Sequence, residues 1–147
     1  MADPSQGGRR RLELNRALEE LHFAFRAVIA RPDAILAKHG LSRVHHRLLY
    51  FIGRNPGVSI TQLLEILRVT KQSLNGPLKQ LMQRALVVAV AGDQDRRVKR
   101  LRLTPRGQAL EDVLSGDQRD RFARVFKQVG RSKEEAWREV MRMLAAE

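Results

Sequence analysis

From Leu14 the apolar residues fall at Leu18, Leu21, Phe25 and Val28, spacings of four, three, four and three that mark one face of a helix. The same face resumes at Ile35 and Leu36. Pro32 is expected to kink or end the helix between them, and Gly40 closes the segment. Ser42 predicts an N-cap for a second helix carrying Val44, Leu48, Phe51 and Ile52, which Asn55-Pro56-Gly57 stops. Ile60, Leu63, Leu64 and Leu67 then predict a short third helix, Arg68 to Thr70 a tight turn, and Leu74, Leu78, Leu81 and Ala85 a fourth. The period next changes to that of strands. Leu86 to Ala91 and Val98 to Thr104 are β-branched runs around a polar turn led by Gly92, the pattern of a hairpin. Thr104 followed by Pro105 starts a fifth helix. The stretch 115–118 (SGDQ) is expected to break or bend it before Phe122, Val125, Phe126 and Val129. Ser132 and Glu135 have capping-box spacing for a last helix containing Trp137, Val140, Met141 and Leu144.

The fourth helix contains Gly76 and Pro77 side by side. Proline inside a helix costs about 3 kcal/mol and glycine about 1 kcal/mol, so two helices joined by a turn must be weighed against one distorted helix. Leu74 and Leu78 keep their phase across the pair, and Leu81 and Ala85 continue it, which favours one helix. Glycine before proline also removes the Cβ that would clash with the proline ring. On this helix Gln72, Asn75, Gly76, Lys79 and Gln83 share the side opposite the leucines. Amides, a lysine and a bare glycine suit close approach to base edges in a major groove.

Charge concentrates in the same region. Of 28 Lys and Arg and 16 Asp and Glu, ten basic and only two acidic residues lie between Arg68 and Arg106. A local excess of this kind, without a strongly amphipathic helix exposing large apolar residues beside it, points to nucleic acid rather than a membrane. The absence of cysteine excludes disulfides, thiolate metal ligands and thiol redox sensing. No apolar run approaches the roughly 20 residues of a membrane span, no signal-peptide pattern opens the chain, and a cytoplasmic location is expected. Residues 1–10, which begin MADPSQGG, are expected to form a disordered lead, and 11–147 a single domain. The Ser, His and Asp residues fall in no nucleophile-elbow or phosphate-loop motif, so an enzyme is not expected. The four histidines form no two-His-plus-carboxylate pattern; neither metal nor cofactor is expected.

Helix-turn-helix, hairpin and flanking helices together resemble the multiple antibiotic resistance regulator (MarR) family of winged-helix transcriptional regulators. The most specific likeness is Asp93 to Leu110, DQDRRVKRLRLTPRGQAL, which is similar to that family's wing: an acidic, arginine-rich tip, a strand, Leu-Thr and a downstream glycine. The resemblance implies a mainly α fold with a small β-hairpin wing, a DNA-binding lobe at 42–106 and dimerisation helices at 11–40 and 117–147. It implies that Arg97 enters a minor groove while Asp95 orients it, with Asp93 a second candidate. Two positions depart from the family: Ala85 stands where a glycine is usual, and the Gly76-Pro77 pair is atypical.

The candidate DNA contacts are therefore Thr61, Thr70, Lys71, Gln72, Ser73, Asn75, Gly76 and Lys79 on the helices, and Asp95, Arg96, Arg97, Lys99 and Arg100 on the wing. Arg102 belongs with Lys99 and Arg100 as a phosphate contact rather than a base contact. Leu14, Leu18, Phe122, Phe126, Trp137, Val140 and Leu144 are the candidate dimer contacts, because the terminal helices keep apolar faces with no part in reading DNA. The expected partners are double-stranded DNA with a pseudo-palindromic site, a second copy of the chain and no membrane. By resemblance, a small aromatic or lipophilic acid would bind between the dimer helices and the DNA-binding lobe and release a repressor, with His22, His39, His45 and Arg47 as polar candidates. The competing reading is a winged-helix architectural or assembly module that binds DNA with little sequence choice.

Overall fold

The computed structural model describes residues 4–146. In chain order they form α1 (Pro4–Lys38), α2 (Arg43–Arg54), β1 (Val58–Ser59), α3 (Ile60–Leu67), α4 (Lys71–Gln83), β2 (Val87–Ala91), β3 (Lys99–Leu103), α5 (Pro105–Val129) and α6 (Arg131–Ala145). The expected architecture, mainly α with a small wing, is the one observed.

The core gathers where the helical and strand patterns converge. Leu48, Leu49 and Ile52 of α2, Leu63 of α3, and Leu74, Leu78 and Leu81 of α4 close on Leu86, Val87 and Leu101 of the wing base, with Leu36 and Leu114 from the inner parts of α1 and α5. At about 25 cal/mol per Å² of apolar surface, burying each leucine contributes roughly 1.5–3 kcal/mol. Leu36 and Leu114 tie α1 and α5 to this lobe, and the N-terminal part of α1 extends away from it. Residues 5–27 of α1 are exposed. No helix among the described residues is long and apolar enough to cross a membrane.

Several expectations are corrected. The wing is a three-stranded antiparallel sheet in the order β1-β3-β2, because Val58 and Ser59 pair with Leu101 and Arg100. Residues 4–10 of the expected disordered lead are helical. Proline at the first helical position loses no intrahelical bond, and a helix once nucleated extends cheaply. Residues 1–3 of that lead and Glu147 of the expected dimer segment lie outside the described residues. Pro32 lies inside α1 without ending it. The stretch 115–118 does not break α5, since Leu114 and Ser115 are buried and tertiary packing offsets the weak helix propensity there. Ser132 is not the cap of α6; that position is Gly130, at φ 91°, and the Glu135 carboxylate accepts from Arg131 instead.

Among the described residues, two other than glycine have positive φ, Arg68 (55°) after α3 and Ala85 (56°) after α4. Ala85 thus adopts the left-handed conformation that glycine reaches without a Cβ penalty. Its carbonyl accepts from Thr104 Oγ1 at 2.6 Å. That bond ties the end of α4 to the start of α5.

Candidate nucleic-acid interface

The third helix begins with a complete capping box: Gln62 N–H donates to Ser59 Oγ at 3.2 Å, and Ser59 N–H donates to Gln62 Oε1 at 3.0 Å. Thr61 is exposed beside it. Arg68 turns the chain, and Thr70 caps α4 by accepting from Ser73 N–H at 3.2 Å while Ser73 Oγ donates to the Thr70 carbonyl at 2.9 Å. Two of the candidate DNA contacts therefore also shape the helix start. α4 then runs as one helix through Pro77, as the apolar phase predicts.

Its outer face presents Lys71, Gln72, Asn75, Gly76, Lys79 and Gln83, all exposed. Leaving aside its chain neighbours and the helix's own backbone, a Cβ built on Gly76 would meet nothing within 4 Å, so no other part of the fold requires glycine there. It leaves the backbone bare on the outward side.

The wing tip is built around Asp95. Gly92 N–H donates to the Val98 carbonyl at 2.8 Å, and a Cβ at Gly92 would lie 2.8 Å from the Asp95 carbonyl oxygen, which requires glycine there. Asp95 Oδ1 accepts from both the backbone N–H (3.0 Å) and Nε (3.3 Å) of Arg97. The aspartate holds the arginine stem while the side chain remains 92% exposed. At such exposure the ion pair contributes little to stability; it orients the guanidinium. Arg96 and Lys99 are exposed on the same tip. Arg100 is half-buried, with Nη1 directed at Gln62 Oε1 at 3.5 Å, so it braces the wing against the start of α3.

The candidate ligand residues do not converge. His22 lies on the exposed part of α1, edge-on to Phe23. His39 lies at the α1–α2 corner, where its carbonyl accepts from Arg84. Arg47 lines a cavity of about 220 Å³ beside Leu67 and Ser73. His45 is buried and bonded to Ser42 and Gln80. No group of three or more His, Asp or Glu among the described residues could hold a metal.

A different set of residues lines a cavity of about 920 Å³ between α2, α5 and α6: Tyr50, Arg54, Phe122, Phe126, Trp137 and Arg138 are among them. Arg54 donates to the fully buried Glu111 carboxylate at 3.1 Å and stacks over the Tyr50 ring at 4.7 Å. Phe122, Phe126 and Trp137 form a three-ring cluster with centroids 5.4–5.5 Å apart. An acidic residue on the buried side of α5 was the available sequence signal for Glu111; its partner, 57 positions away, left none.

Beside that ion pair His46 Nε2 meets Ser115 Oγ at 3.1 Å. Burial lowers the His46 pKa from its ordinary 6.5, against the opposing pull of Glu111 and Asp33. The unfolded chain therefore binds the proton first on acidification. Stability from this group is full above pH 6.5 and falls as the pH drops below it toward the folded-state pKa. Thermal unfolding should show a decline below pH 6.5 that His46→Gln reduces. A variant with the wild-type decline would remove His46 as its source.

The MarR family sequence pattern matches residues 39–98. The chain is 40% identical over 129 residues to the HTH-type transcriptional regulator PetP of Rhodobacter capsulatus, covering 88% of this chain and 78% of that protein. Its fold is similar to that of Streptococcus pneumoniae FabT in complex with DNA, with TM-score 0.78, 21% identity and coverage of 90% and 94% of the two chains. NadR in complex with 4-hydroxyphenylacetate is similar in fold at TM-score 0.70 and 23% identity, over 86% of this chain and 90% of that one. PetP is a transcriptional regulator, and FabT was solved bound to DNA. With a helix-turn-helix, a braced wing arginine and a relative this close over most of its length, the chain belongs to the MarR family of DNA-binding transcriptional regulators.

Proposed function

We propose that this regulator is a cytoplasmic homodimeric repressor that reads a pseudo-palindromic operator and is released by a small aromatic or lipophilic acid. The observation that carries the sequence-reading part is the pairing of two unlike probes on one lobe. An amide-rich helix face suits a major groove. An exposed guanidinium braced by Asp95 suits a narrow minor groove, whose potential depends on sequence.

Variants on a shared panel of duplexes at several salt concentrations separate the roles. Arg97→Ala should weaken binding and flatten the preference for A·T-rich flanks. Gln72→Ala should relax choice at one major-groove position by about 1 kcal/mol or somewhat more. Arg100→Ala should lower affinity on all sequences alike and reduce the salt slope by about one. Uniform loss in all three variants would favour the architectural module instead.

The second copy is argued from apolar surface. Leu14, Leu18, Val140 and Leu144 are each more than half exposed in the single chain, and they lie on helices that contribute little to the lobe core. Phe122, Phe126 and Trp137 pack on one another within the chain, and Trp137 remains exposed. Two recognition helices about one helical turn apart require such a dimer.

The effector reading is supported by the aromatic and arginine-lined cavity between α2, α5 and α6 and by the fold shared with NadR, which was solved with an aromatic acid. A ligand there acts only through different affinities for DNA-ready and DNA-unready dimers. Aromatic carboxylates should raise the melting temperature and lower DNA affinity, and Arg54→Ala should abolish both effects. A screen in which no acid does both would sink the ligand-release part.

A further inference from the structure

The leucines of α4 face the core and its amides face outward, but one flank between them is held by polar bonds. Gln80 Oε1 meets His45 Nε2 at 2.6 Å. One turn further on, the Arg84 guanidinium donates to the carbonyl of His39 and rests over Gly40, where an added Cβ would lie 3.2 Å from Nη2. One partner, His39, lies in the short corner between α1 and α2, and the other, His45, in the first turn of α2.

The direction of the His45 bond follows from chemistry. Ser42 N–H, which can only donate, points to His45 Nδ1 at 3.0 Å. The ring proton must then be on Nε2, where it donates to the Gln80 carbonyl oxygen. His45 is buried, so this imidazole is a fixed strut from the N-cap of α2 to the recognition helix.

Apolar contacts made by Leu74, Leu78 and Leu81 are non-directional and allow a helix to roll; hydrogen bonds are directional. We infer that His45 and Arg84 are positioning residues that fix the roll of α4 through Gln80 and the His39 carbonyl, and so set which bases Gln72 and Lys79 reach, without touching DNA. The inference rests on the reading of α4 as a sequence-reading helix.

The test is selection from a pool of randomised duplexes by the full chain, followed by affinities for the selected and a scrambled duplex. His45→Ala and Gln80→Ala should each reduce the affinity ratio about tenfold, the scale of one lost groove contact. The double variant should be no worse than either single one, because both remove the same strut. The salt slope should stay at the wild-type value, since no phosphate contact is lost. His45→Gln, whose amide can accept from Ser42 and donate to Gln80, should keep most of the ratio. Gln80→Ala keeps the test independent of any folding defect in His45→Ala, because Gln80 is exposed apart from this bond.

Losses that add in the double variant would mean that Gln80 meets DNA directly and would overturn the inference. A selected motif unchanged in both variants would overturn it alone. A wild-type chain that enriches no motif would overturn the sequence-reading function and this inference with it.

Discussion

Alanine at position 107 should leave a protein that barely folds. A Cβ there would lie 1.9 Å from the Leu86 carbonyl oxygen and 2.9 Å from its carbon. Both are backbone atoms, so no rotamer change relieves the contact. The oxygen is itself fixed by Thr104 N–H at 3.1 Å. Thr104 Oγ1 accepts from Gly107 N–H at 3.0 Å and donates to the Ala85 carbonyl. Moving either strand of this knot separates the wing base from the first turn of α5. Overpacking costs of 1–3 kcal/mol arise where side chains can shift; here the loss should be about 3 kcal/mol or more. Chemical denaturation measures it directly. A Gly107→Ala midpoint equal to wild type would show that α5 does not approach Leu86 as closely as described.

The second large effect concerns assembly. Val140 is 55% exposed on α6, so glutamate there meets water in the single chain and should not disturb the fold. In a dimer that covers this face, the same carboxylate would be buried without a partner. Val140→Glu should therefore sediment as a monomer. A monomer engages one half-site without the effective concentration supplied by its twin, and its affinity for a two-half-site duplex should fall by about 100-fold or more. A Val140→Glu chain that stays dimeric and binds DNA normally would place the interface elsewhere.

The elements proposed to carry DNA contacts were legible because their signals are local. The phase of Leu74, Leu78 and Leu81 predicts α4 through Pro77, and the family resemblance of the wing points to the Asp95–Arg97 pair that the structure shows. Elements that exist by tertiary pairing were not. Two-residue β1 is a strand only because Leu101 and Arg100 lie opposite it. The stretch 115–118 reads as a break, yet burial against α2 carries the helix through it. The same division runs through the site. Ser42 announces the start of α2, but no local pattern joins His45 to Gln80, 35 positions away, or Arg54 to Glu111. The cavity between α2, α5 and α6 is lined by Tyr50 and Arg54, further along α2 than the ligand candidates His45 and Arg47.

The continuity of α5 has a mechanical consequence. Its 25 residues make a rod of roughly 37 Å at 1.5 Å per residue. One end is locked to the wing base through Thr104 and Gly107, and the other carries Phe122 and Phe126 in the aromatic cluster. A hinge at 115–118 would absorb a disturbance at the far end. Along an unbroken helix of this length, a tilt of about 5° displaces the opposite end by roughly 3 Å, comparable to the length of a hydrogen bond. The helix is therefore one unbroken connection between the wing base and the aromatic cluster, with Leu114 and Ser115 buried along its length.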